Sequence, residues 1–273
     1  MRKELQPVQH LLRKAHLLNA VEYVRYVYSV LRFRRSNLAF IQQHPGFRVP
    51  PQHLAFDAYA APNWDEYYRS GLQWAKDIVG SLQRYGYDPG DINVLEWGCG
   101  PGRIIRHLPD NLGDQSRVYG SDYNAESIDW AAASIGRVRF LKNGLSPPLP
   151  FDDATFDCVY AISVFTHLSE ESCLRWIDEI ERVLNRDGIV LFTTNGDKVS
   201  EFLLPHEKKV YDSTGFCLRG KIQEGKKMFL AFHSPDYVES TLLKNFDVLE
   251  HIKPGGFPYM GVQDEWLARR KNR

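Results

Sequence analysis

Val94-Leu95-Glu96-Trp97-Gly98-Cys99-Gly100-Pro101-Gly102-Arg103 reads as a short apolar strand that closes on an acid and then breaks into three alternating glycines. Glycine has no Cβ, so a turn at Gly98, Gly100 and Gly102 can approach a bound molecule closely and can take positive φ. A helix is expected after the loop. A second strand, Arg117 to Asp122, then ends on an acid twenty residues beyond Gly102. A carboxylate so placed accepts both hydroxyls of a ribose. Strand, glycine loop, helix, strand and acid make half of a dinucleotide-type site.

The glycine order is G-x-G-x-G, not the G-x-G-x-x-G that lays a pyrophosphate on a helix N-terminus. Glu96 beside the loop would repel a pyrophosphate, whereas it suits a ligand carrying an ammonium and a sulfonium. The stretch resembles the first motif of class I S-adenosylmethionine-dependent methyltransferases. That resemblance implies that Glu96 helps hold the methionine end, that Gly98, Gly100 and Gly102 pack under the cofactor, and that Asp122, with Tyr123 beside it, takes the ribose.

The resemblance covers roughly residues 50 to 270. Asn143 to Asp153, with Leu149-Pro150-Phe151, looks like the family's third-strand exit, G-D-x-x-x-L-P-F. Leu145 stands where the family's adenine-binding acid is expected, so the resemblance implies adenine contact through the Leu145 backbone N–H and apolar walls. Phe156 to Ser163 reads as the fourth strand, and Val164-Phe165-Thr166-His167-Leu168 is similar to the family's V-x-x-H-L. Ser163 is implied to meet the methionine moiety through its backbone. Arg182 to Phe192 is similar to the helix end, glycine turn and fifth strand. Pro50 to Leu54, Gly71, Gly255-Gly256 and Gln263-Asp264 resemble flanking segments of bacterial methyltransferases of small molecules and glycans.

The 273 residues hold 34 basic and 34 acidic side chains, so the chain lacks the net positive field with which a nucleic-acid enzyme commonly neutralises phosphates. No nucleic-acid acceptor is expected. Cys99, Cys158, Cys173 and Cys217 are widely spaced and show no metal-ligand pattern. They read as reduced, buried thiols, and no metal is expected. No apolar run is long enough for a membrane span, and the charged first residues lack a secretory core. The expected compartment is the cytoplasm.

The expected architecture is α/β: a doubly wound, Rossmann-like, seven-stranded sheet with its last strand antiparallel and a helical N-terminal extension. Residues 1–45 form that extension, and 46–273 the methyltransferase domain. In the extension, Leu11, Leu12, Leu17, Leu18, Val21, Val24, Val27, Val30 and Leu31 recur at helical spacing, which predicts one or two amphipathic helices. Eight Lys or Arg against two Glu in the first 35 residues make this arm basic. It suits an anionic membrane surface, an acidic partner, or a cap packed on the core or on a second subunit. The aromatic stretch after it makes Tyr59 and Tyr67 candidate lid residues or plain filler.

Strands are expected near residues 93–97, 118–121, 138–141, 158–162 and 189–193. A helix should start at Ser169, whose hydroxyl can cap free N–H groups. Residues 197–233 break the alternation and suggest an inserted hairpin, well placed to form a substrate wall. Residues 235–244 read as a helix, and 246–252 with 265–268 as the last antiparallel pair.

S-adenosylmethionine carries its own activation, so the protein mainly aligns an acceptor. An acceptor hydroxyl would need a base, and His167, just past the fourth strand, is the candidate. It could equally be a packing residue that bonds a loop carbonyl. His206 and His233 are alternatives. Cys99 reads as small packing, with Glu96 opposing any thiolate. The expected activity is methyl transfer to an oxygen or nitrogen of a small molecule or glycan. A non-catalytic cofactor-binding scaffold stays open. So does an NAD-dependent oxidoreductase, although that should show G-x-G-x-x-G and a second domain.

Overall fold

The computed structural model describes residues 18–220, 223–254 and 262–272. Nine strands are described: β1 (Asn93–Trp97), β2 (Arg117–Asp122), β3 (Arg139–Lys142), β4 (Phe156–Ala161), β5 (Leu184–Thr194), β6 (Phe216–Arg219), β7 (Leu230–His233), β8 (Phe246–Ile252) and β9 (Asp264–Arg270). Seven form one sheet in the order β3-β2-β1-β4-β5-β9-β8, and β6 pairs with β7 in a separate hairpin. β1, β4 and β5 run parallel, as do β2 and β3, while β9 is antiparallel to β5 and β8. This is the expected doubly wound sheet. The order turns back between β1 and β4, and in such sheets ligands lie beyond the carboxyl ends at the reversal.

The described residues fall into two compact units, one of Ile92–Gly98 with the described part of Asn143–Arg273, the other of the residues up to Asp91 with Cys99–Lys142. In the first, the central strands are fully buried: Val94, Leu95, Val159, Tyr160, Ala161, Val190 and Phe192 have essentially no exposed surface. Helix α5 (Glu170–Val183) starts where Ser169 Oγ accepts the Ser172 amide, with Glu170 and Glu171 in its first turn and Arg182 in its last. Both ends therefore suit the helix dipole. Its buried stripe is Cys173, Trp176, Ile177, Ile180 and Val183. Between β5 and β8, helix α6 (Pro205–Thr214) is joined to β6 by a buried ion pair, Arg219 Nε donating to Glu207 Oε2 at 2.9 Å.

In the second unit, helices α1 (Leu18–Gln43), α2 (Gln52–Tyr59) and α3 (Trp64–Arg84) precede β1, and α4 (Ala125–Ser134) follows β2. α3 buries Trp64, Tyr67, Gly71, Trp74, Ile78 and Leu82 at three- and four-residue spacing, one face of a helix. α1 is tied to the start of α3 through Asn37, which donates to Pro62 O at 2.6 Å and accepts the Trp64 amide at 3.0 Å. Phe40 packs with Ala55, Trp64 and Tyr67.

Three sequence expectations change. The helix after the glycine loop is only a turn followed by a 3-10 run, Ile105–Asp110, because Pro109 lacks the N–H and its ring opposes an α-helical turn. The fifth strand begins early: Leu184 pairs with Phe156, then the register jumps to Cys158 and Ile189, so Asn185–Gly188 form a bulge. The third concerns α1, whose valine and leucine stripe does not face inward. Val24 and Leu31 are exposed, and Ser29, Asn37 and Phe40 are the buried residues, since Asn37 and the aromatic cluster decide which face docks. Leu11, Leu12, Leu17, Gly255 and Gly256 lie outside the described residues, and the side chain of Leu18 is likewise not described.

Candidate active site

In the first unit, candidate residues lie at the carboxyl ends of β1 and β4. Glu96 is the fourth residue of β1, directly opposite Tyr160 of β4, and its buried carboxylate accepts the Tyr160 hydroxyl at 2.9 Å. Gly98 follows with φ of 77°, and a Cβ there would overlap the Val164 side chain. Only glycine satisfies both demands.

After β4 the chain turns sharply at Ser163, a non-glycine residue at φ of 60°. Such a conformation persists only where neighbours over-determine it, and they cluster at functional sites. The Ser163 amide donates to Thr193 Oγ1 at 2.8 Å, and its hydroxyl donates to Gln263 Oε1 at 2.8 Å. Thr193 also donates to Gln263 at 2.9 Å, and Gln263 Nε2 donates to Asn195 Oδ1 at 3.3 Å. Tyr160, Thr193, Asn195 and Gln263 thus join these candidate residues. Gln263 carried a weak sequence signal, whereas Tyr160 and Thr193 are ordinary strand residues and Asn195 directly follows β5, so no spacing could single them out.

His167 ends the short helical turn Phe165–His167 and is half-buried. Its Nδ1 lies 2.8 Å from the Phe229 carbonyl. A carbonyl only accepts, so Nδ1 carries a proton, and in the neutral form of the ring Nε2 is the nitrogen without one. The segment that bears Phe229 is fixed to the same turn: the Gly225 amide donates to His167 O at 3.0 Å, and Glu224 accepts the Ser169 amide at 2.6 Å. Burial pushes the Glu224 carboxyl up, but the Ser169 hydrogen bonds outweigh it and hold the group below its ordinary range. His233 cannot serve as a base for an acceptor, because it is fully enclosed and burial depresses its pKa to about 3. His206 is exposed. Leu145 is partly exposed, and its carbonyl accepts the Trp176 indole N–H at 3.0 Å.

The second unit, described by itself, carries further candidate residues. Asp122 closes β2, with Oδ2 accepting the Gly100 amide and Oδ1 the Asn124 amide, both at 2.8 Å. Burial pushes its carboxyl up, and the amides of Asn124, Gly100 and Tyr123 only partly oppose it. A carboxylate offers about four lone-pair sites, so it can still accept from a ligand hydroxyl. Tyr123 is half-buried, its phenol pushed up to about 12 by burial and by the charges of Asp122 and Asp57. Gly100 and Gly102 both take positive φ.

Tyr59 and Tyr67 bind the glycine loop itself. The Tyr67 hydroxyl donates to Pro101 O at 2.8 Å, and the Tyr59 hydroxyl lies 3.4 Å from Cys99 O. A Cβ on Gly71 would overlap the Arg103 carbonyl, so α3 rests directly on the loop backbone. Cys99 is buried, as are the other three cysteines, and none is in a disulfide. Among the described residues no cluster of His, Cys, Asp and Glu could hold a metal.

Residues 94–188 match a family model described as methyltransferase domain. Across those residues the chain is a methyltransferase domain. A tRNA N(3)-methylcytidine methyltransferase of Schizosaccharomyces pombe is 23% identical to this methyltransferase over 77% of the chain and 69% of that protein. An uncharacterized methyltransferase of the same yeast is 27% identical over 55% of the chain and 56% of its own length. Among solved structures, a SAM-dependent methyltransferase from Methanosarcina mazei shares the fold at a TM-score of 0.53 and 21% identity, covering 71% of this chain and 98% of that one. A 1,6-didemethyltoxoflavin N1-methyltransferase from Burkholderia thailandensis, solved with its namesake compound and S-adenosylhomocysteine, aligns at 0.52 and 17%, covering 74% and 78%.

Proposed function

We propose that this methyltransferase transfers a methyl group from S-adenosylmethionine to an oxygen or nitrogen of a small molecule or glycan, with His167 as the base. The observation that carries the reading is the His167 tautomer: with Nδ1–H committed to Phe229 O, Nε2 is the atom that takes a proton from the acceptor. S-adenosylmethionine, when bound, supplies an electrophilic methyl on a sulfonium and a neutral thioether as leaving group. Glu96 and the Ser163 backbone hold the methionine end, Gly98, Gly100 and Gly102 let the loop approach, and Asp122 with Tyr123 holds the ribose. The base edge of adenine meets the Leu145 backbone. Asn143, whose Oδ1 is buried with no hydrogen-bond partner, supplies the acceptor for its amino group.

The domain on this reading spans residues 46–273, with 1–45 as an extension and 197–233 as an insert that walls the acceptor. The hydrogen bonds from His167 and Ser169 to residues 224–229 support it, because they couple the base to that wall. Four buried cysteines, none in a disulfide, support a reducing compartment such as the cytoplasm.

Titration calorimetry with S-adenosylmethionine, S-adenosylhomocysteine and NAD tests the cofactor: the two sulfur nucleotides should bind and NAD should not. The acceptor is tested by transfer of labelled methyl to a small-molecule and saccharide library, with tRNA alongside. A second reading, an RNA acceptor, is favoured by the tRNA-modifying relative and opposed by the zero net charge. Methylation of tRNA with none of the library would replace the first reading by the second.

A further inference from the structure

We infer that the outer face of α1 lies on the surface of an anionic lipid bilayer, an interaction separate from the cofactor and acceptor sites. α1 is 26 residues long, roughly 39 Å at the usual helical rise. Its inner side is already satisfied: Ser29, Asn37 and Phe40 are buried, and Tyr26 packs edge-on against Phe56 with ring centroids 5.3 Å apart. The other side is apolar as well. Tyr23, Val24, Tyr28, Leu31 and Leu38 each keep 55–67% of their surface exposed. Val24, Tyr28, Leu31 and Leu38, spaced by four, three and seven, share one helical face. An exposed, mainly apolar face of this kind, with Arg35 set between Leu31 and Leu38, marks an interaction site.

The charge on this helix selects the occupant. Arg25, Arg32, Arg34 and Arg35 are all exposed, and the helix has a single acid, Glu22, which Arg25 binds and whose side chain is only 15% exposed. In a pairing with a second copy the same stripe would meet itself. Arg35 falls within that stripe and Arg34 beside it, so arginine would face arginine with no carboxylate to neutralise it. A nucleic acid would take the guanidinium groups and leave five large apolar side chains in water. A bilayer surface with anionic headgroups satisfies both sets at once, since the apolar side chains enter the acyl boundary while arginines meet phosphates. The helix lies on the surface and does not cross it: among the described residues no helix is long and apolar enough to span a membrane.

The test is sedimentation of the full chain with vesicles of phosphatidylcholine alone and of phosphatidylcholine with phosphatidylglycerol. Three proteins are compared: the wild type, Arg34→Ala/Arg35→Ala and Leu31→Gln/Leu38→Gln. All these positions are exposed, so circular dichroism and S-adenosylmethionine titration should match the wild type. The wild type should partition onto the anionic vesicles and far less onto the neutral ones. Each lost arginine should lower partitioning about fivefold, and the leucine pair should lower it at least about tenfold. The inference fails if the wild type stays in solution with anionic vesicles, or if the leucine pair leaves partitioning unchanged. It fails equally if analytical ultracentrifugation shows a dimer that the leucine pair dissociates while vesicles capture nothing. Capture of tRNA instead of vesicles, lost in the arginine pair, also overturns it. None of these results touches the cofactor reading, which calorimetry addresses independently.

Discussion

Asp122 is buried with the Gly100, Asn124 and Tyr123 amides as donors, and burial still pushes its carboxyl above the ordinary range. Further donors would relieve that cost, and a ribose diol supplies two. Asp122→Ala should weaken S-adenosylmethionine binding by about 2 kcal/mol or more, the usual loss when a charged hydrogen-bond partner is removed; calorimetry that finds the affinity unchanged would detach Asp122 from the ribose. His167→Ala should cut turnover at least about a hundredfold with little change in cofactor affinity, as expected for a lost general base. Turnover that survives in this variant would mean an acceptor that needs no base. Glu96, the three glycines and Asp122 were legible because they occupy one short motif and its fixed offset. Tyr160 was not, because its partner Glu96 lies 64 residues away in the chain, and Gln263 carried only a weak signal, its partner Ser163 lying 100 residues away.

Single elements show where local pattern suffices and where it does not. Ser169 with two following glutamates predicts a helix start, and the structure has the Ser169 hydroxyl accepting the Ser172 amide. Ser169→Ala should therefore cost about 1 kcal/mol of stability in urea unfolding, the typical worth of such a cap. Gly98→Ala must displace Val164 and hold a Cβ at positive φ, so a destabilisation of roughly 1–3 kcal/mol is expected. A variant as stable as the wild type would show that the β1 turn yields easily. The run after the glycine loop and α1 went differently from their patterns. In the first, Pro109 overrides the helical expectation. In the second, the periodic valines are real, but the face that docks is chosen by Asn37 and Phe40 finding partners in Pro62, Trp64 and Ala55.

At the scale of the whole molecule, two enclosed histidines couple the fold to pH. Burial lowers the pKa of His107 to about 4 and of His233 to about 3. Both stay neutral in the folded chain, whereas in the unfolded chain they take up protons near the ordinary value of about 6.5. The unfolded state therefore binds more protons below that value, and stability falls as pH falls, down to the folded pKa values. At roughly pH 5.5 the two together should remove about 3 kcal/mol relative to neutral pH. Urea unfolding across this range should show that slope, and His107→Gln should reduce it by about half; an equal slope in the variant would mean His107 protonates without penalty. By itself the sequence determined the sheet and the glycine loop, because these follow from residue periodicity and from motifs a few residues long. Only the tertiary structure decided the His167 tautomer, the Tyr160 and Gln263 partnerships and the outward face of α1. Each depends on which distant backbone or side-chain group a residue meets, and that is settled by packing.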